Sequence, residues 1–388
     1  MEQRIAYMIL NSLPGIGPGR VHQLELCLGG PEAILQASAV ELQRAAGIGG
    51  HLADVIIGWR RHCDPDRELK LAGEAGAYVV TLADESYPAL LREIHDPPLC
   101  LYVRGSLDCL KDDSGTIAIV GSRHPSPYGV RMTRQLAGEA ARNGWTTVSG
   151  LANGIDTCAH EASLQAGGPT IAVLGSGLCH LYPQNNMALA TAICGGHGAV
   201  ITEFPMLMRP DRRNFPMRNR IISGLSRGAI IVEAGLQSGS LITAAQAIEQ
   251  GRTVFAVPGL ADQPFAKGCH ALIKDGARLV ENFRDVLDEF TLLPEARAQS
   301  RLRQQEKRNR ENPPPPPPPV KVNDLEYRIW EALADGECEL EALLANLQEV
   351  PSTVLPLLLV MEMKGLVRQL PGRRLRRDDR KNVQKFAD

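Results

Sequence analysis

From Thr116 to about Phe283 the chain repeats one pattern: a short, almost uninterrupted apolar run, often closed by glycine or serine, and then a helical stretch. The runs are Thr116–Gly121, Thr146–Gly150, Thr170–Gly175, Ala199–Phe204, Ala229–Ala234, Thr253–Pro258 and Arg278–Val280. Strands that do not alternate apolar with polar are covered on both faces, and long helices between them act as crossovers. The expected class is therefore α/β, a Rossmann-like doubly wound parallel sheet with helices on both sides. In that arrangement ligands bind beyond the carboxyl ends of the strands. Gly121-Ser122, Ser149-Gly150 and Gly175-Ser176-Gly177 fall there.

At 388 residues the chain exceeds one ordinary core. Residues 1–65 read as short helices with two similar glycine turns, Leu13–Gly19 and Ala46–Gly50, each resembling a helix-hairpin-helix turn. Such a turn either presents free amides to a phosphate or serves only to reverse the chain tightly. Residues 66–290 form the sheet domain, in which a connector with short strands, Ala77–Leu82 and Leu99–Arg104, precedes a core at 116–283. A linker covers 291–322 and holds seven consecutive prolines, Pro313–Pro319, a stiff spacer. Residues 323–376 have the pattern of a winged helix: helical periodicity in Asp324–Ala334, Glu339–Ala345 and Pro351–Lys364, then a hairpin turning at Pro371-Gly372. The last of those helices is nearly all apolar, with Lys364 its only cation, and is expected to pack against protein. Residues 377–388 are a basic tail, expected to lack fixed structure.

Hydrophobic content of 44% and charged content of 22% are those of a globular protein, and the formal net charge is −2. A polyanion partner would have to be met by local arginine clusters. Nine cysteines are scattered without a C-x-x-C pair and are expected to be reduced and mostly buried. No apolar run approaches the about 18 residues of a membrane span, so a cytoplasmic protein without membrane contact is expected.

One basic cluster is Arg212, Arg213, Arg218 and Arg220 around Phe215. If the helix here begins at Pro216, Arg218 and Arg220 occupy its opening turn, where the helix dipole disfavours cations by about 0.3–1 kcal/mol each unless an anion sits among them. Arginines around a flat ring suit the phosphates and unstacked bases of a nucleic-acid strand. The turn Gly121-Ser122-Arg123 exposes amides and adds a charge-assisted fork at another strand end. Asp156, Ser240 and Thr243, at helix starts, fit caps as well as they fit an anion rim. Neither G-x-G-x-x-G with its downstream acid nor the P-loop pattern is present, which disfavours cofactor binding and nucleotide hydrolysis.

The ordered set Ile119-Val120-Gly121-Ser122-Arg123, Ser149–Asp156, Ile171–Gly177, Tyr182-Pro183, Phe215–Ser226, Ser238-Gly239-Ser240-Leu241 and Val257-Pro258-Gly259 resembles the DNA-processing protein A (DprA/Smf) family over about 170 residues. The flanking helical and winged-helix-like regions resemble its longer members. The resemblance implies a bacterial cytoplasmic protein that binds single-stranded DNA and loads RecA recombinase onto it in natural transformation or recombination. It also implies a homodimer formed through the Rossmann-like domain, and no catalytic residue, metal or cofactor. By motif position, Arg123 and Arg212 would hold phosphates and Phe215 would stack on a base. Arg218, Asn219 and Arg220 come from the same segment, and Asn219 and Arg220 would complete the pocket. Gly121, Ser122 and Ser240 would add backbone or hydroxyl contacts. One departure stands at Gly268-Cys269-His270-Ala271, where the family usually has Gly-Thr-Asn, so these residues are not expected in the site.

A rival is a nucleoside-monophosphate-processing enzyme of the lysine-decarboxylase-like Rossmann group, which uses a similar phosphate rim. That group carries Pro-Gly-Gly-x-Gly-Thr with a downstream glutamate; here the turn is Ala234-Gly235-Leu236-Gln237-Ser238-Gly239-Ser240. A general base would have to come from Asp156, Glu203 or Glu233, each read more simply as a cap or a strand-end residue. A protein-only adaptor with solvated arginines is the other alternative, and the placement of those arginines argues against it.

Overall fold

The computed structural model describes residues 2–45, 47–111, 115–195, 198–291, 320–334, 338–347, 349–364, 366–370, 374–377 and 383–385. Two compact units, Met1–Leu292 and Leu293–Asp388, divide the chain.

The first unit is organised by a nine-stranded sheet: β1 Ala77–Thr81, β2 Cys100–Gly105, β3 Thr116–Val120, β4 Thr146–Ser149, β5 Thr170–Val173, β6 Ala199–Thr202, β7 Gly228–Ile231, β8 Thr253–Ala256 and β9 Arg278–Leu279. Their order is β1-β2-β6-β5-β4-β3-β7-β8-β9, parallel from β6 to β9. Every residue of β3 to β7 is buried, as expected for strands covered on both faces. β3 lies between β4 and β7, where the strand order reverses, and a crevice opens at such a switch point. The connector strands do not stand apart from this sheet. β2 pairs antiparallel with β6 and β1 with β2, covering an edge that β6 would otherwise leave open. Antiparallel addition needs no crossover helix, so the alternation that marks the other strands is missing there.

Ahead of the sheet, the helices Gln3–Ser12, Pro18–Leu28, Pro31–Gln36, Ala39–Arg44 and Gly50–Ile57 form a bundle. Its two glycine turns are built alike: the Ile16 amide donates to the Leu13 carbonyl at 3.2 Å and that of Ile48 to Ala45 at 3.3 Å, and Gly17 and Gly49 cap the following helices. Ile16 and Ile48 are buried with Leu10, Val21, Leu24 and Leu42. The bundle meets the sheet where Met8 packs with Val79, Cys100, Tyr102 and Met206, and the Asn11 amide donates to the Glu203 carbonyl at 2.7 Å.

In the second unit the helices Asp324–Ala332, Leu340–Leu347 and Pro351–Met363 enclose a core of Ile329, Leu333, Leu343, Val354, Leu358 and Met361, with the hairpin β12 Val367–Leu370 and β13 Arg374–Arg377 beside it. A two-residue strand, β11 Cys338–Glu339, pairs with β13. The proline run lies outside the described residues. Two expectations are corrected. The end of the linker forms a strand, β10 Val320–Val322, and the tail contributes β14 Val383–Lys385, which pairs with it in parallel. Pro351–Met363 buries one apolar face and leaves Leu355, Leu359 and Met363 exposed; Lys364 is engaged by Glu326 at 2.7 Å.

The cysteines are all free, but only Cys63, Cys100 and Cys269 are buried, while Cys27 and Cys179 are exposed. Apolar sequence neighbours do not bury a residue at a helix end or surface turn. Among the described residues no single helix is long and apolar enough to cross a membrane.

Candidate functional site

A cleft of about 570 Å³ opens at the switch point. Its lining includes Gly121, Ser122 and Arg123 after β3, Ala152 and Asp156 after β4, Tyr182, and Ser238 to Ser240 with Thr243 after β7. Arg212, Phe215, Arg218 and Asn219 complete it from the helix Asn214–Gly224 and its approach. The cleft thus gathers all of the expected site residues except Arg220. Three helices present their first turns to it, Ile155–Gln165, Asn214–Gly224 and Ser240–Glu249, and helix N-termini offer unpaired amides and partial positive charge.

Backbone approach makes this possible at two glycines. Gly154 has φ +88°, and a Cβ there would strike the Ser122 carbonyl; with glycine the Ile155 amide donates to that carbonyl at 3.1 Å and clamps the β3 loop. A Cβ on Gly175 would lie 2.6 Å from the Phe215 ring, so glycine lets the ring settle at the end of β5.

Phe215 is half-buried and carries the cluster's charge pattern. The guanidinium carbons of Arg123 and Arg218 lie 5.6 and 5.9 Å from its ring centroid, within cation–π range. Arg123 and Arg212 are exposed side chains at the mouth. Arg218 is buried; its Nη1 donates to the carbonyls of Gly150, at 2.8 Å, and Val173. Burial draws its pKa down to about 10, with Asp156 opposing and Arg123 adding to the shift. Asp156 is buried too and accepts from the amides of Gly150 and Ala152 at 3.1 and 3.3 Å. Burial raises its carboxyl pKa against the pull of Arg218 and those amides. Two guanidinium groups therefore flank one ring with a single, amide-bonded carboxylate nearby, and an anion in the cleft would relieve their repulsion.

The helix itself departs from expectation. It begins at Asn214, so Pro216 sits inside the first turn, where its missing N–H is not needed, and Arg218 and Arg220 fall in the second turn. Arg220 is buried away from the cleft: Nη1 and Nη2 donate to the two Glu203 oxygens at 2.7 and 2.6 Å, and Nε donates to Asp96 at 2.9 Å. Burial alone would lower its pKa, but Glu203 and Asp96 outweigh it and the net shift is upward. Here the charge is satisfied within the protein. Gln246 and Gln250 donate to the carbonyls of Pro216 and Arg220, at 3.1 and 3.0 Å, and hold this helix against Ser240–Glu249.

Ser240 does not cap its helix; its hydroxyl pairs with that of Ser238 at 2.8 Å, and Gly239 is the cap residue. Glu233 accepts from the amide and hydroxyl of Ser126, the cap of Pro127–Arg142, and so stiffens the β3 loop from behind. Cys269 is buried against the carbonyls of Ile231 and Val232, and His270 meets the Gly259 backbone; neither lines the cleft. A second depression of about 690 Å³, with Tyr128, Val257, Pro258, Leu260 and Phe265 among its walls, is largely apolar, and among the described residues Arg131 is the one cation lining it. Tyr182, like Asp156 and Ser238, lines the cleft and belongs to a quoted motif but was not among the expected site residues. Its signal was an aromatic after the β5 turn in a chain with 4% aromatics.

The family model for DNA recombination-mediator protein A matches residues 78–291, more than half of the chain. The chain belongs to the DprA/Smf family. A DprA winged helix domain model matches residues 313–373. Protein Smf of Synechocystis sp. is 34% identical over 396 residues, 97% of this chain and 99% of that relative. DprA of Bacillus subtilis is 43% identical over 60% of this chain and 77% of its own. The structure of Streptococcus pneumoniae DprA superimposes with a TM-score of 0.64 at 35% identity, covering 74% of this chain and 98% of that one. A Helicobacter pylori DprA structure described for its single-stranded DNA binding mode gives 0.50 at 31%, covering 57% and 98%. In this DprA/Smf member, the segment matched by the family model contains every cleft residue named above.

Proposed function

We propose that this chain binds single-stranded DNA in the switch-point cleft and acts as a recombination mediator that loads RecA onto the strand. The observation that carries the reading is Phe215, half-buried in the cleft between the guanidinium groups of Arg123 and Arg218 and close to three helix N-termini. A duplex keeps its bases stacked and paired, whereas a single strand offers a base face to the ring and phosphates to Arg123 and Arg212. The chemistry required is binding and not bond cleavage: Asp156 is clamped by backbone amides and Glu233 by Ser126, so neither is poised as a base. The protein works as a cytoplasmic homodimer in this reading, so that two clefts engage one strand and gain affinity by linkage.

The test has two arms. Fluorescence anisotropy should show tighter binding to a labelled oligothymidylate than to a duplex of equal length. RecA filament growth on single-stranded DNA already coated with single-strand-binding protein should then start sooner when the chain is added. Equal affinity for both DNA forms would refute the cleft reading. An unchanged lag would refute the loading role.

A further inference from the structure

A single base on Phe215 leaves the rest of the strand without a path, and the surface beside it supplies one. Tyr182 is 48% exposed, and its hydroxyl has no partner among the described residues. Besides the main cleft, it lines a small recess shared with Arg123, Asn153 and Phe215, and then a groove of about 390 Å³ walled by Asn153, His180, Gln184, Asn185 and Pro210. The three depressions form one track, with Tyr182 common to all of them.

The two rings do not make a slot for one base. Their centroids are 6.0 Å apart and their planes meet at 43°. A base sandwiched between two rings needs two stacking gaps of about 3.4 Å each between nearly parallel planes. Each ring therefore offers a face to a different base. The platform is also held in place. The Asn186 amide, on a buried side chain, donates to the Leu151 carbonyl and the Thr157 hydroxyl, both at 2.8 Å, and the Ser176 hydroxyl donates to the His180 carbonyl at 2.8 Å. Among the described residues no arginine or lysine lines the outer groove, whose amide side chains suit base edges and sugar oxygens.

We propose that Tyr182 is a second base-stacking platform, over which the strand leaves the Arg123–Phe215 cleft for the groove at Asn153, Gln184 and Asn185. The proposal rests on the single-strand reading of the cleft. It assigns Tyr182 a part in affinity but none in phosphate neutralisation, a division that can be measured.

Oligothymidylates of increasing length, titrated by anisotropy at several salt concentrations, separate the possibilities. Tyr182→Ala should bind the shortest oligonucleotides as wild type does and lose at least about five-fold for those long enough to reach both rings. Its salt slope should stay unchanged, and Tyr182→Phe should match wild type. Tyr182→Trp should keep affinity and lose tryptophan emission as the oligonucleotide saturates it. Full affinity of Tyr182→Ala at every length, or unmoved Tyr182→Trp emission, would overturn the platform while leaving Arg123-dependent binding intact. A wild-type chain that binds no single strand, or an Arg123→Ala variant with wild-type affinity and salt slope, would overturn the cleft reading and the platform with it.

Discussion

Replacing Arg220 by methionine asks whether this arginine serves the DNA or the scaffold. The side chains of Arg220 and Glu203 are each 8% exposed and meet in a two-pronged pair at 2.7 and 2.6 Å. The third bond, to Asp96 at 2.9 Å, ends on a carboxylate that is 44% exposed, and water can replace it at a cost below about 1 kcal/mol. Glu203 has no such recourse: a buried carboxylate stripped of its partner costs about 3–5 kcal/mol. Arg220→Met should therefore destabilise the first unit by about that amount, and adding Glu203→Gln should restore at least about 1 kcal/mol by removing the unpaired charge. Urea unfolding in a Trp330→Phe background reports the effect, because Trp59 and Trp145 both belong to the first unit. Single-strand binding by the folded variant should keep the wild-type salt slope. A variant as stable as wild type whose salt slope falls by about one would refute the scaffold role and return Arg220 to the cleft.

Arg123→Ala and Arg212→Ala should each weaken single-strand binding across sequences and reduce the salt slope by about one, read from anisotropy between low and moderate salt; unchanged slopes would remove these residues from the phosphate path. Phe215→Ala should cost about 1–3 kcal/mol of binding with the slope retained, measured in the same titration. His160 is fully buried; Thr170 gives its hydroxyl proton to the Thr147 carbonyl at 2.8 Å and so receives the Nδ1 proton of His160 at 2.7 Å, leaving Nε2 bare. Burial, with the nearby Arg218, pulls its pKa down to about 3, so between pH 6.5 and 3 the unfolded chain binds a proton that the folded chain refuses. Stability should accordingly fall with pH across that window, by about 2 kcal/mol at pH 5, and His160→Gln should flatten this part of the profile in urea melts.

Much of the sheet was legible because buried parallel strands write themselves as apolar runs closed by glycine or serine, and the cleft followed from where those runs end. The placement of Gly121, Ser122 and Arg123 at the cleft is of this kind, set by strand order, whereas Phe215 and Ser240 reach it on the helices that follow β6 and β7. The fate of the arginines was not legible. Arg218 and Arg220 are two residues apart on one helix and so point to different sides, one toward Gly150 and Val173, the other toward Glu203 and Asp96. Those acceptors lie 17 to 124 residues away along the chain, so no local pattern announces them. Helix start, too, was misjudged at Pro216, because proline is tolerated throughout a first turn and marks no single position in it. β1 and β2 escaped assignment to the sheet because β2 joins it through β6, which lies far along the chain, and β1 joins only through β2.

That distance governs the order in which the molecule can be made. β2 lies beside β6 through Tyr102 opposite Thr202, and β3 beside β7 through Ile117 opposite Gly228. A ribosome adding about 5–20 residues per second has therefore finished the helical bundle and the β1–β2 hairpin roughly 5–20 s before β6 emerges to receive them. The outer edge of β2 waits unpaired through that interval. The knot of Asp96, Glu203 and Arg220 closes only after β6 and the helix behind it have emerged, so the hairpin is locked to the cleft's own helix in a late step. A nascent chain stalled between Gly105 and Ala199 would carry a complete N-terminal bundle, an open strand edge and no binding cleft.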